Sequence, residues 1–194
     1  MAKDEILDGE VVERESLPTL VPQDALTEFG NPMRGIARAS QIADALGEIV
    51  RAKNLSVKIQ GREHLKIEGW MTLGAMCGVV AASAWTKPDE NGYAARTEVI
   101  RLATGEVISA AESRCDFTEQ LQRRDGTLYD RWDRNEPHSC MSMAQTRSAS
   151  KALAQVLRWI PGLAGFSGTP AEEMPRERNV TPAAPPTPRP DPVS

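Results

Sequence analysis

Three β-rich segments joined by short turns constrain the fold of this chain more than any other feature. Residues 78–86 (GVVAASAWT), 93–102 (YAARTEVIRL) and 107–115 (VISAAESRC) have the side chains typical of strands. The connecting stretches KPDENG and ATGE contain Asn-Gly and Thr-Gly, and such dipeptides are typical of hairpin turns. The pattern therefore predicts a three-stranded antiparallel meander.

A long helix is predicted after the strands, over residues 142–165 (SMAQTRSASKALAQVLRWIPGLAG). At 100° per residue its apolar side chains share one side with two hydroxyls, and we expect this side to face the core. These residues are Ser142, Thr146, Ala149, Leu153, Val156, Leu157 and Ile160. On the opposite side lie Arg147, Lys151 and Arg158, flanked mostly by small side chains, among them Ala144 and Ser148.

No acidic residue occurs between positions 139 and 165, so the helix lacks the mixed charges that normally stabilise a solvated face. A uniformly positive face with small neighbours would allow a polyanion to approach closely. The pattern is also compatible with a face that is merely solvated.

The segments before the meander predict further elements. Residues 40–54 (SQIADALGEIVRAKN) have the apolar period of an amphipathic helix, with Ser40 as a plausible N-cap. Residues 55–59 (LSVKI) indicate a strand, and residues 69–78 a short buried helix. The predicted fold class is α+β, with a β-β-β-α core in which a long helix packs on the meander, an N-terminal helix and flexible tails.

Composition divides the chain into three parts. Residues 1–24 hold seven acids and are predicted to be a disordered acidic arm, and residues 169–194 a disordered Pro-rich tail. Residues 25–168 form the single predicted domain, with 18 Lys and Arg against 16 Asp and Glu, a difference of +2. The remainder holds 5 against 11, which gives the net charge of −4. A mildly basic domain permits an anionic partner.

Several function classes are disfavoured. The longest nearly apolar run, residues 73–85, is shorter than the roughly 20 residues of a membrane span, and no secretory signal is expected. Three dispersed cysteines favour a reducing compartment, so we expect a cytoplasmic protein. No phosphate-binding glycine loop occurs. His138 and Cys140 form only one loose zinc-ligand pair, so we predict no catalytic residues, no metal and no cofactor.

Other candidate contacts to a nucleic acid lie outside the long helix. Lys58, Arg62 and Lys66 recur every four residues ahead of the meander, and Arg96 and Arg101 lie on it. Among the aromatic residues, Trp70 and Trp85 lie in apolar stretches, which favours core packing. Tyr93, beside a hairpin tip, is the predicted base-stacking residue.

A helix-turn-helix reader of duplex DNA is an alternative, because QIADALG resembles the first helix and turn of such a motif. The same helix continues after Gly47, however, and a β-rich segment follows instead of a polar recognition helix. A sequence-specific duplex-binding regulator using residues 40–60 and a non-enzymatic protein-interaction module both stay open.

Three segments, REHLKIEGWMTLGAMCGVVAASAW, NGYAARTEVIRLATGEVISAAES and SMAQTRSASKAL, resemble phage single-strand annealing proteins. Their superfamily includes the Erf and Sak types and the recombination mediator Rad-fifty-two. The resemblance covers about residues 55–170 and consists of the order of elements: a meander with a Gly-containing hairpin, then a small-residue helix with Arg and Lys.

The resemblance implies an ATP-independent protein of a bacterial host's cytoplasm that binds single-stranded DNA and anneals complementary strands in phage-type homologous recombination. It implies a homo-oligomer, a ring or a helical filament, with DNA in a basic groove between sheet and helix. Carried over by position, Arg147, Lys151 and Arg158 would contact phosphates, and Arg96 and Arg101 would line the same groove. The tails are candidates for binding a host or phage replication or recombination protein.

Overall fold

The computed structural model of this chain describes residues 32–123 and 125–174. The predicted acidic arm and residues 175–194 of the predicted tail lie outside these ranges. The helices are α1 (Pro32–Lys53), α2 (Ile67–Met76), α3 (Pro137–Leu157), α4 (Trp159–Leu163) and a 3₁₀ helix (Ala171–Glu173). The strands are β1 (Ser56–Ile59), β2 (Arg62–Leu65), β3 (Val79–Asp89), β4 (Gly92–Arg101), β5 (Val107–Asp116), β6 (Gln120–Gln122) and β7 (Leu128–Asp130).

The predicted meander and the α+β class are confirmed. Strands β3, β4 and β5 form one antiparallel sheet in that order, and α3 packs on one face of it. The pairing of β3 with β4 shifts between Ser83 and Trp85, where Ala84 is an extra residue in β3. A bulge of this kind reverses the alternation of side chains after it. Trp85 is therefore opposite Arg96 on the face of the sheet away from α3.

Helix α3 lies close to the sheet because small side chains meet across the interface. Ala144, Ser148 and Ala152 of α3 are fully buried. The Oγ atoms of Ser148 and Thr97 are 2.7 Å apart, and Ser109 Oγ donates to the Ala152 carbonyl at 3.0 Å. The sequence predicted that Ala144 and Ser148 flank an exposed cationic face, and that prediction is wrong, because they are what lets the helix approach the sheet.

The other buried side of α3 packs against α2, which in turn contacts α1. Leu153 and Leu157 lie in the main core with Leu46 and Trp70, all without solvent exposure. The prediction of Trp70 as a core residue is confirmed. Helix α3 is thus the central element of the domain and is covered on two sides.

The element bounds differ from the sequence interpretation at several places. Helix α1 begins at Pro32, so Ser40 lies within the helix and is not its N-cap. A strand pair, β1–β2, replaces the single predicted strand, because Gln60 and Gly61 both adopt positive φ and form a two-residue turn. Helix α3 begins at Pro137 and ends at Leu157, and the short α4 follows. The insert, residues 116–140, contains the β6–β7 hairpin.

Residues beyond 168 belong to the folded domain, so its predicted C-terminal boundary is too early. The Thr169 carbonyl is 2.9 Å from His64 Nδ1. Glu172 Oε1 accepts the backbone N–H of Ile67 at 2.8 Å and so caps the first turn of α2. These contacts hold the segment that contains the 3₁₀ helix beside β2 and α2. No helix in the two described ranges is long and apolar enough to cross a membrane.

Gly92 provides a test of the tight β3–β4–β5 packing. A Cβ atom at this position would overlap the carbonyl oxygen of Cys115 on the neighbouring strand. We expect Gly92→Ala to lower the free energy of unfolding by about 1–3 kcal/mol, measured by urea denaturation, because the paired strands must separate. The control is Gly35→Ala in α1, where a Cβ meets nothing within 4 Å. It should be neutral or stabilising by up to about 1 kcal/mol, and equal losses in both variants would contradict the packing argument.

Candidate nucleic-acid interface

A cleft of about 1250 Å³ opens between α3, the edge of β5, the β1–β2 hairpin, the β6–β7 hairpin and the 3₁₀ helix. We call it the cationic cleft, because six positive side chains line it. They lie on, or directly beside, each of these elements except the 3₁₀ helix. The cations are Lys58, Lys66, Arg114, Arg131, Arg147 and Lys151. The acids are Glu68, Glu119, Glu172 and Glu173, so the lining carries a net charge of about +2.

Four of the predicted site residues meet in this cleft: Lys58, Lys66, Arg147 and Lys151. Lys58 and Lys151 are exposed, and neither forms an ion pair with a described residue. Lys66 Nζ donates to the Asn54 carbonyl at 2.7 Å, which holds its side chain at the base of the β1–β2 hairpin. The structure thus places two cations of the hairpin opposite two cations of α3.

The other five predicted site residues are not brought together. Arg62 and Arg158 are exposed but lie outside the lining of the cleft. Arg96 is on the sheet face away from α3, where it pairs with Glu112 at 3.2 Å and with Glu98 at 3.4 Å.

Arg101 and Tyr93 have mainly structural contacts. The Arg101 side chain is only 12% exposed and lies 3.7 Å from Glu106 across the β4–β5 turn. Tyr93 is half-buried in a second small core, with its ring edge-on to Phe117 at 6.2 Å between centroids. The predicted exposure of Tyr93 for base stacking is therefore not realised.

Arg147 is bound by an acid that the sequence interpretation missed. Glu119, in the insert just before β6, forms a two-pronged ion pair with the Arg147 guanidinium; Nη2 and Oε2 are 2.9 Å apart. Arg147 Nη1 also donates to the Arg114 carbonyl at 3.1 Å. The Arg147 side chain is only 18% exposed. The ion pair fastens the β6–β7 hairpin to α3 along one wall of the cleft.

Glu119 also accepts hydrogen bonds from Arg131 Nη1 and Trp132 Nε1, each at 3.3 Å. Burial alone would raise the pKa of Glu119. The hydrogen bond and charge of Arg147, the hydrogen bond of Trp132 and the charge of Arg131 outweigh that effect, so its pKa lies below the ordinary value. The hydrogen bond between Arg147 and Glu119 raises the pKa of Arg147. Both groups are ionised at neutral pH.

Glu172 has the opposite shift. Burial raises its pKa, and the neighbouring charges of Glu68 and Glu173 raise it further, although its hydrogen bond from Ile67 acts the other way. These three carboxylates lie together on the wall formed by α2 and the 3₁₀ helix. Anionic ligands are therefore expected to avoid these carboxylates and to bind nearer the cations of the lining.

The cysteines are structural. Cys115 and Cys140 are fully buried in the second core, and Cys140 Sγ donates to the Cys115 carbonyl at 3.1 Å. Burial raises the pKa of both thiols, and it raises the pKa of Cys77 to about 11. His138 is exposed at the start of α3, apart from this core. Within residues 32–123 and 125–174, no three His, Cys, Asp or Glu side chains are grouped to hold a metal ion.

Two charged cleft residues of the insert, Glu119 and Arg131, are not predicted from the sequence, because the composition of the insert indicates only that it is too polar for the core. Asp125-Gly126 supplied a usable signal, because Asp-Gly between short β segments is typical of a hairpin, and Gly126 does adopt a φ of 90°. The pairing of Glu119 with Arg147, 28 positions away, has no local signal.

Comparison of the chain with models of protein families, with curated proteins and with solved structures finds no match.

Removal of the Glu119 charge tests its structural role. We expect Glu119→Gln to lower the free energy of unfolding at pH 7 by about 1–3 kcal/mol, since two poorly exposed guanidinium groups lose their charged acceptor. A carboxylate with a depressed pKa stabilises the fold above its unfolded pKa of about 4.3, and this contribution is lost as the pH falls through the folded value. The difference between wild type and Glu119→Gln, measured by urea denaturation from pH 7 to pH 3, should therefore shrink below about pH 4.

The matched control for this series is Glu112→Gln. Glu112 also pairs with an arginine, but its side chain is 59% exposed. We expect a change below about 0.5 kcal/mol for such a surface pair. An effect as large as that of Glu119→Gln, or a Glu119→Gln effect that does not vary with pH, would contradict the assigned role.

Proposed function

We propose that this protein binds single-stranded DNA in the cationic cleft and anneals complementary strands without nucleotide hydrolysis, as in phage-type homologous recombination. The observation that carries the proposal is the convergence of Lys58 and Lys66 with Arg147 and Lys151 in one cleft. These cations come from segments about 90 positions apart, and the sequence alone predicts all four as contacts to a nucleic acid.

The chemistry of the cleft suits a phosphodiester backbone. Lysine and arginine contacts to phosphates hold a strand regardless of its sequence, which annealing of arbitrary complementary strands requires. Contacts to the backbone leave the Watson–Crick edges of the bases available to a second strand. Annealing through such contacts requires no catalytic residue.

The duplex-reading alternative has less support. Helix α1 continues to Lys53 and is followed directly by β1 from Ser56, so residues 40–60 supply one helix and one strand. A recognition helix that could enter the major groove is not among the elements of this region.

Homo-oligomerisation is part of the proposal, because the net charge of the cleft is only about +2. One copy would hold few phosphates, whereas several copies on one strand multiply weak contacts through effective concentration. A ring or a filament would both have this effect.

The cleft can be distinguished from the helix surface that the sequence predicted. We expect Lys58→Ala combined with Lys151→Ala to weaken binding of an oligo-dT strand about tenfold or more at low salt. The slope of log K against log salt should fall by about 0.7 for each phosphate that the variant no longer binds. Fluorescence anisotropy over a salt series measures both quantities. The control is Arg158→Ala, an exposed cation directly after α3 and outside the cleft, which should change neither quantity. A weakening equal to that of the double variant would favour the helix surface over the cleft.

The annealing activity itself is tested with two complementary oligonucleotides that carry a donor and an acceptor fluorophore. We expect the protein to accelerate the rise in energy transfer in the absence of any nucleotide, and the Lys58→Ala, Lys151→Ala variant to lose most of that acceleration. Light scattering coupled to size exclusion follows the oligomer in parallel. Binding confined to a particular duplex would indicate a regulator, and no binding to either form of DNA would indicate a protein-interaction module.

A further inference from the structure

Trp85 lies on the open face of the sheet, away from α3. The bulge at Ala84 places it opposite Arg96, and the next pair along the strands on this face is Lys87 with Ala94. The Lys87 ammonium lies over the indole at 4.4 Å from its centroid. The sequence favoured core packing for Trp85, and the structure instead leaves its ring partly exposed on this face, with an exposed lysine side chain above it.

A second cleft, of about 530 Å³, opens at this ring. Ser113, Arg114 and Lys151 line both this cleft and the cationic cleft. The two clefts therefore meet at the edge strand β5, where Lys151 reaches from α3. A strand held along α3 in the cationic cleft has a direct continuation over this edge to Trp85.

The charges along the second cleft suit a polyanion. Lys87, Arg114 and Lys151 line it, against Asp89 and Glu112. Both acids are already engaged, Asp89 with Arg114 and Glu112 with Arg96. Neither Lys87 nor Lys151 forms an ion pair with a described residue, although Asp89 is close enough to Lys87 to interact with it electrostatically. Both ammonium groups line this cleft and can contact incoming phosphates.

We infer that Trp85 is a base-stacking subsite, where an unpaired nucleobase of the strand leaving the cationic cleft stacks on the indole. This inference rests on the proposed function, which it extends from phosphates to bases. The base takes the place of the Lys87 ammonium over the ring, and Lys87 turns to the adjoining phosphate. The exchange is favourable because an exposed cation–π contact is weak, whereas stacking of a base on an aromatic ring is stronger and independent of sequence. Ala94, beside the ring, leaves room for the base.

Tryptophan fluorescence tests the subsite directly. Stacking of a base quenches indole emission; of the other tryptophans, Trp70 is fully buried, and Trp132 and Trp159 are outside the lining of both clefts. We expect an oligo-dT strand to quench the emission of the wild type and of the Trp159→Phe control. In Trp85→Phe the quenching should be much smaller, while anisotropy still reports binding.

A strand of the same length with abasic sites keeps the phosphates and removes the bases. We expect Trp85→Ala to weaken oligo-dT binding about tenfold, or about 1.4 kcal/mol, and to leave binding of the abasic strand unchanged. A thermal unfolding curve shows whether Trp85→Ala is folded. If it is unfolded, two other measurements test the subsite: the fluorescence quenching in Trp85→Phe, and the affinity of the wild type for oligo-dT compared with the abasic strand.

The outcomes separate the two proposals. Equal quenching in wild type and Trp85→Phe, or equal weakening of both strands by Trp85→Ala, would overturn the stacking subsite. Binding that still depends on Lys58 and Lys151 would in that case leave the proposed function standing. Absence of binding to every single strand would overturn both.

Discussion

The close approach of α3 to the meander is the constraint on which the rest of the structure depends. Ser148 and Thr97 can place their hydroxyls 2.7 Å apart only because Ala144 and Ala152, on either side of Ser148, are small enough to let the helix pack closely on the sheet. A helix at this distance carries Arg147 and Lys151 to the edge of β5, where they line the cationic cleft together with Ser113 and Arg114. Larger residues on this helix surface would lift α3 and with it one wall of the cationic cleft. The small residues thus contribute to the site through packing, not through access for a ligand.

Glu119 stabilises the fold but opposes the binding of an anionic ligand. Its carboxylate ties the insert to α3 through Arg147 and accepts a further bond from Arg131. The same charge neutralises two guanidinium groups at the wall where a phosphate would bind. A phosphate oxygen resembles a carboxylate oxygen as an acceptor for arginine, so a bound strand could replace Glu119 as the partner of Arg147. The hairpin then gives up one of its attachments, and part of the binding energy is spent on that exchange.

Local sequence patterns predict the helices and strands well, whereas long-range packing determines which of their side chains are buried. The meander and α3 follow from β-branched runs, turn dipeptides and a helical period, all of which act over a few residues. The apolar stripe predicts only one of the two buried sides of α3, because the sheet also buries Ser148 and Ala144. Trp85 lies on the sheet face away from α3 because β3 contains one extra residue, Ala84. The Glu119–Arg147 pair depends on how the insert folds back.

The position of Trp85 is compatible with annealing for a geometric reason. A base that stacks on the indole is held by its π face, so its Watson–Crick edge stays open to a complementary strand. Phosphate contacts from Lys151 and Lys87 act on the other side of the nucleotide, at the backbone. A strand crossing the β5 edge would thus be unstacked from its neighbours yet still able to pair. That is the state from which a second strand can nucleate a duplex, and the transition to paired DNA would release the base from Trp85 without any nucleotide being hydrolysed.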